Sequence, residues 1–254
     1  MSMYTRLSTG RYLASEHTQG PWDPGSQHMG PVTALITHEL ERTAPRPGLV
    51  MARLVADVFG PVPVAELEVR TEVVRDGKRV QCLAAVVTSG GREYVRATVW
   101  RIREADTPAT EVAAPPAPIP VTRSVGSWLS DGFGYGRAMD WRFVKSDAMA
   151  TGPATVWGRI TVPLVEGEEI TPLERLAILA DSGNGISPPL DFTTHLFVNV
   201  DLTISLFRSP TGEWICMDSA TVLGPAGRGL TRSTLFDELG EVGSATQTLF
   251  VTPR

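Results

Sequence analysis

Two side chains stand where elementary helix and strand physics would not put them. Asp181 falls in the last turn of an otherwise apolar helical stretch, Leu173 to Ala180, where the negative end of the helix dipole opposes a carboxylate and favours Lys or Arg. A carboxylate there either accepts backbone hydrogen bonds in the turn through Ser182-Gly183-Asn184-Gly185 or serves as a base. In the second case, surroundings of low dielectric make it more basic, and it activates water or holds its partner. Gln247 alternates with Ala245, Leu249 and Val251 on the last strand-like run, so its amide shares a face with apolar residues and needs hydrogen-bond partners if buried. It either orients a water or ties down a neighbouring loop. Asn199, Asp201, Thr203 and Ser205 form a polar row opposite Val198, Val200, Leu202 and Ile204, a row that faces either solvent or a site. His28 lies just before Gly30-Pro31, at a helix start whose free N–H groups polarise a carbonyl or meet a phosphate. The alternative is an imidazole that packs at the entrance of the fold.

Other chemistries lack their residues. No Gly-x-Ser-x-Gly elbow is present for a serine nucleophile, and no histidine pair has metal-ligand spacing. Cys82 and Cys216 stand alone, without a second thiol or histidine at metal spacing. Gly132, Gly134 and Gly136 lack the preceding strand and following helix of a phosphate-binding loop, and they read as linker. Arg228 and Arg232 either meet the phosphates of a ligand or are solvated surface. Neither a cofactor nor a metal is implied.

The elements that must position these residues come in one order, used twice. Gly30 and Pro31 open an amphipathic helix with Val32, Leu35, Ile36 and Leu40 on one face, and Pro45 and Pro47 stop it. Four strand-like runs follow. The clearest alternates Leu67, Val69, Thr71 and Val73 with charged residues, and Asp76-Gly77 marks a hairpin into Val80 to Thr88 and then Tyr94 to Ile102. In the second half Thr171, Pro172 and Glu174 form an N-cap, first-turn proline and capping box for a helix ending near Gly183. Strands over 198–207, 214–223, 230–237 and 242–251 follow, with leading strands expected over 12–19, 139–144 and 155–162. The Pro- and Ala-rich stretch from 105 gives the division 1–104, a linker over 105–137, and 138–254.

With 42% apolar and 20% charged residues among 254, the chain has ordinary globular composition and length enough for a sizeable core. Its net charge of −5 offers no basic excess for nucleic acid. No apolar run reaches bilayer length and the first residues lack a signal peptide's apolar stretch, so neither membrane anchoring nor export is expected. A reducing cytoplasm is the expected home.

The segments LAILADSGNGI, FVNVDLTISLFR, GRGLTRSTLFD and GSATQTLFV resemble, in order and spacing, the C-terminal half of type II acyl-CoA thioesterases. GPWDPGSQHMGPVTALITHELER is similar to the entry of the first helix in actinobacterial members of the thioesterase-like superfamily. The resemblance implies an α+β double hot-dog: two long helices, each wrapped by a curved antiparallel β-sheet, fused in one chain. It also implies hydrolysis of a fatty acyl-CoA by water without a covalent intermediate, and assembly into a homo-oligomer. The family's catalytic Asp falls on Asp181 and its Gln on Gln247. Its Thr or Ser, two residues before Asp201, is replaced by Asn199, a longer side chain without a hydroxyl. That departure keeps open a non-catalytic double hot-dog that binds acyl-CoA or an acylated carrier. A hydratase would need a histidine beside a carboxylate, and His38 reads as lying on the polar side of the first helix.

Overall fold

The computed structural model describes residues 1–145 and 150–254. The chain opens with β1 (Tyr4–Ser8) and β2 (Arg11–Ala14), followed by α1 (Met29–Arg42) and the strands β3 (Leu49–Val58), β4 (Glu66–Asp76), β5 (Val80–Ser89) and β6 (Arg92–Arg103). Two short helices, α2 (Trp128–Asp131) and α3 (Gly134–Arg137), precede β7 (Met139–Lys145) and β8 (Ala154–Ile160). Then come α4 (Pro172–Ala180), α5 (Gly183–Ile186), β9 (His195–Asn199), β10 (Asp201–Leu206), β11 (Ile215–Leu223), β12 (Arg228–Asp237) and β13 (Gly240–Pro253).

The helix-then-meander order expected from periodicity is present in both halves, but three features differ. Among the described residues, all strands join one 13-stranded antiparallel sheet, because β3 of the first half pairs with β10 of the second. Only α1 is long, at 14 residues; α4 has nine and stops where Asp181, Ser182 and Gly183 turn the chain into α5. The expected strand over 198–207 is broken at Val200. Asn199 of β9 pairs with Leu249 of β13, while β10 is held between β13 and β3.

Helix α1 is buried on nearly every side rather than along one stripe, from Met29 to Leu40. Its threonines tolerate this because they bond within the helix: the Thr33 hydroxyl donates to the Met29 carbonyl at 2.8 Å and that of Thr37 to the Thr33 carbonyl at 2.9 Å. Helix α4 covers it in antiparallel fashion. Near its C-terminal end, His38 Nδ1 lies 2.8 Å from Glu174 Oε1 in the first turn of α4. At the opposite end a Cβ on Gly30 would run into the Ile178 carbonyl, so only glycine lets the two helices meet that closely. His38, read as a polar-face residue, is therefore buried, since the other helix supplies the face that a single amphipathic stripe leaves to solvent.

Candidate active site

Helix α4 is started by the capping box read from the sequence: Thr171 Oγ1 accepts from the Glu174 amide at 3.1 Å and Glu174 Oε2 from the Thr171 amide at 2.8 Å. Asp181 ends it, 3% exposed. The unfavourable dipole of α4 is offset by the neighbouring helix, because the backbone N–H groups of Met29 and Gly30 at the start of α1 face the Asp181 carboxylate and favour its charge. This explains the anomaly: the carboxylate at one helix C-terminus sits at another helix's N-terminus.

Asn199 and Gln247 converge on the same group. Asn199 Nδ2 donates to Asp181 Oδ1 at 2.8 Å, and Gln247 Nε2 donates to Oδ1 at 3.1 Å and to the Asp181 carbonyl at 2.9 Å. The Gln247 amide is fully used, since its Oε1 accepts from the Asn184 amide at 3.1 Å. Asn199 owes its inward direction to the break at Val200; the rest of the polar row, Asp201 to Ser205, stays on the outer face. Burial raises Asp181 to about 7 from an ordinary 3.8, against the pull of the donors from Asn199, Gln247, Gly30 and Met29.

His28 completes the group. Its Nδ1 lies 3.1 Å from Asp181 Oδ2 and 3.0 Å from the Gly30 amide, which it caps. The ring stacks on Tyr135 with centroids 4.1 Å apart and planes at 19°. Burial holds the imidazole neutral by pushing its pKa down, to about 3. Tyr135 is in turn fixed by its hydroxyl, 2.8 Å from Ser182 Oγ and 3.1 Å from the Ile178 carbonyl, and burial raises its pKa. A histidine beside a carboxylate thus exists, contrary to the sequence reading. It was missed because its two members come from different halves of the chain. Tyr135 was missed as well, inside glycines read as linker.

His28, Asp181 and Asn199 lie at the wall of a cavity of about 450 Å³, with Gln247 and Tyr135 behind them. Its apolar lining includes Trp22, Val58, Phe59, Phe133, Phe192 and Val198. Trp22 packs edge-on against Phe197 at 5.1 Å. Arg228 and Arg232, weighed for phosphate contacts, do not line it. An arginine that does lie against this wall is Arg254, whose guanidinium is 5.4 Å from the Trp22 ring centroid.

Known proteins resemble this chain in the same terms. A family model described as the acyl-CoA thioesterase N-terminal domain matches residues 18–102, and one described as the acyl-CoA thioesterase C-terminal domain matches residues 109–251. Comparison with curated proteins gives no match. Among solved structures, an acyl-CoA thioesterase II from Mycobacterium marinum aligns at 17% identity over 99% of this chain and 95% of its own, with a TM-score of 0.73. A hot-dog-fold protein from Alicyclobacillus acidocaldarius aligns at 14% identity over 95% and 92%, with a TM-score of 0.75. The fold is therefore a hot-dog, as the resemblance implied. With both domain models matched in order along one polypeptide, the chain belongs to the acyl-CoA thioesterase family.

Proposed function

We propose that this protein hydrolyses a fatty acyl-CoA to the free acid and CoA, with water attacking the thioester carbonyl beside Asp181. The observation that carries the reading is the convergence of Asp181, Asn199 and Gln247 on one hydrogen-bonded group at the wall of an apolar cavity. Asp181 and Gln247 are also the two residues that the helix dipole and strand alternation mark out in the sequence. Asn199 replaces the family's hydroxyl residue by donating to the same carboxylate, and its Oδ1, without a partner among the described residues, is left to hold a water. If each heavy atom takes the ~30 Å³ share of a water molecule, the cavity admits on the order of fifteen. That is room for an acyl group and its thioester, with the rest of CoA outside. Arg254, which makes no salt bridge among the described residues, is placed to meet a CoA phosphate.

A panel of acyl-CoAs of increasing length, assayed for free thiol with wild type and Asp181→Ala, tests the reading. Wild type releases thiol from a contiguous range of lengths and the variant does not. Equal release by both removes Asp181 from the chemistry. The His28–Asp181 pair favours one second reading, water addition to a 2-enoyl thioester, because a base that activates water serves either electrophile. Loss of enoyl absorbance without thiol release would select it.

A further inference from the structure

We propose that His28 is the catalytic base: its Nε2 takes the proton from the attacking water, while Asp181 acts as the positioning residue that holds the ring. This rests on the hydrolytic reading above and names the atom that performs its proton transfer.

Asp181 has little capacity left for a water. Oδ1 already accepts from both Asn199 and Gln247, and the Met29 and Gly30 amides also face the carboxylate. Both lone-pair directions of Oδ1 are used by these two amides. Oδ2 faces Nδ1 of His28 at 3.1 Å, within hydrogen-bond distance when one proton lies between the two atoms.

The other ring nitrogen is in the opposite condition. Nε2 of His28 has no hydrogen-bond partner among the described residues, yet it is not sealed among the fully buried unpartnered atoms. The side chain is 12% exposed and lines the cavity. One nitrogen is thus tied to the carboxylate while the other opens on the space where a thioester and water would sit.

Two protonation states of the pair follow. With Asp181 protonated, its O–H donates to Nδ1, the ring proton is on Nε2, and no base faces the cavity. When the pair loses one proton, the remaining one lies between Oδ2 and Nδ1, leaving a lone pair on Nε2. In both states the one in-plane position of Nδ1 is engaged with Oδ2, so the Gly30 amide, which lies near both groups, turns to the carboxylate. Burial, which keeps the imidazole neutral and raises Asp181 to about 7, places the change near neutral pH. The titratable groups facing the ring are Asp181 from the end of α4 and Tyr135 from α3, with Asp23 farther out on the cavity lining.

In the reaction, a water O–H bond breaks as its proton moves to Nε2 and a C–O bond forms at the carbonyl carbon. The imidazolium is stabilised by the ionised Asp181 beside Nδ1. When the C–S bond of the tetrahedral intermediate breaks, the proton passes from Nε2 to the departing thiolate, so the free acid and CoA leave and the pair is restored.

The test combines His28→Asn with histidine nitrogen NMR on the wild type. Asparagine retains the N-cap of α1, so the variant isolates the base from the fold. On acyl-CoA at pH 8, kcat should fall by about 10²-fold or more, with KM changed little. Wild-type kcat/KM should rise with pH to a plateau above about 7. In the ligand-free protein, the His28 ring should carry its proton on Nε2 at pH 5 and on Nδ1 at pH 8. A variant within threefold of wild type overturns the base assignment, as does a ring protonated on Nε2 at pH 8. A wild type that releases no thiol from any acyl-CoA instead overturns the hydrolytic reading and the hydrolytic role of His28 with it. In that case the NMR result, independent of substrate, shows whether the pair itself is as described.

Discussion

Replacing Asp181 by asparagine should make the protein's stability, relative to wild type, climb as pH rises. Asp181 has an ordinary value of 3.8 in the unfolded chain and about 7 in the fold, where burial outweighs four donors. The folded state therefore binds the proton more tightly, and wild-type stability falls as pH rises from the unfolded value through the folded one. About three pH units at 1.36 kcal/mol each give on the order of 4 kcal/mol in full. Roughly 3 kcal/mol of this lies between pH 5 and pH 8. Asparagine resembles the protonated acid. Its Oδ1 still accepts from Asn199 and Gln247 and its Nδ2 faces Nδ1 of His28, at the fixed cost of meeting the Met29 and Gly30 N–H groups, and it does not titrate. His28, held neutral in the fold, is common to both proteins and largely cancels in their difference. Urea unfolding of wild type and Asp181→Asn at unit pH steps supplies that difference. The stability of the variant relative to wild type should climb by about 3 kcal/mol across the range. A constant difference would mean that Asp181 titrates normally, and the reasoning from burial would fail.

Three further outcomes follow from particular contacts. Asn199→Leu removes a donor that favours ionised Asp181, so the rising limb of the pH–rate profile should move up by about one unit; an unmoved limb contradicts that bond. Gly30→Ala forces a methyl group against the Ile178 carbonyl and should cost on the order of 2 kcal/mol in thermal or urea unfolding, whereas unchanged stability would deny the close helix contact. Trp22→Ala enlarges the cavity and removes the ring packed on Phe197, so the acyl-CoA length with the best kcat/KM should increase; an unchanged optimum would place the acyl chain elsewhere.

Asp181 and Gln247 could be read from the sequence because each violates a local rule, the helix dipole in one case and strand alternation in the other. The capping box at Thr171 and the hairpin at Asp76-Gly77 are equally local. What could not be read depends on contacts between the halves. The inward turn of Asn199 comes from the break at Val200, where the strand is shared between β13 and β3. His28 meets Asp181 only because α1 and α4 lie antiparallel, and the burial of His38 has the same origin. The glycines around Tyr135 carried a signal that composition hides. A Cβ on Gly134 would strike the Glu16 carbonyl and one on Gly136 the Leu129 carbonyl, so these are sites of close packing rather than of a loose linker. The single continuous sheet was likewise invisible, since β3 and β10 are each ordinary strands until they pair.

The most direct measurement is a single turnover of one acyl-CoA, with enzyme in excess, in water enriched in heavy oxygen. Wild type should release one thiol per substrate, and the acid formed should carry one heavy oxygen, because water attacks the carbonyl without a covalent acyl-enzyme. Asp181→Asn should leave the substrate intact on that timescale. Thiol release undiminished in the variant, or an acid from the first turnover holding only light oxygen, would contradict the account.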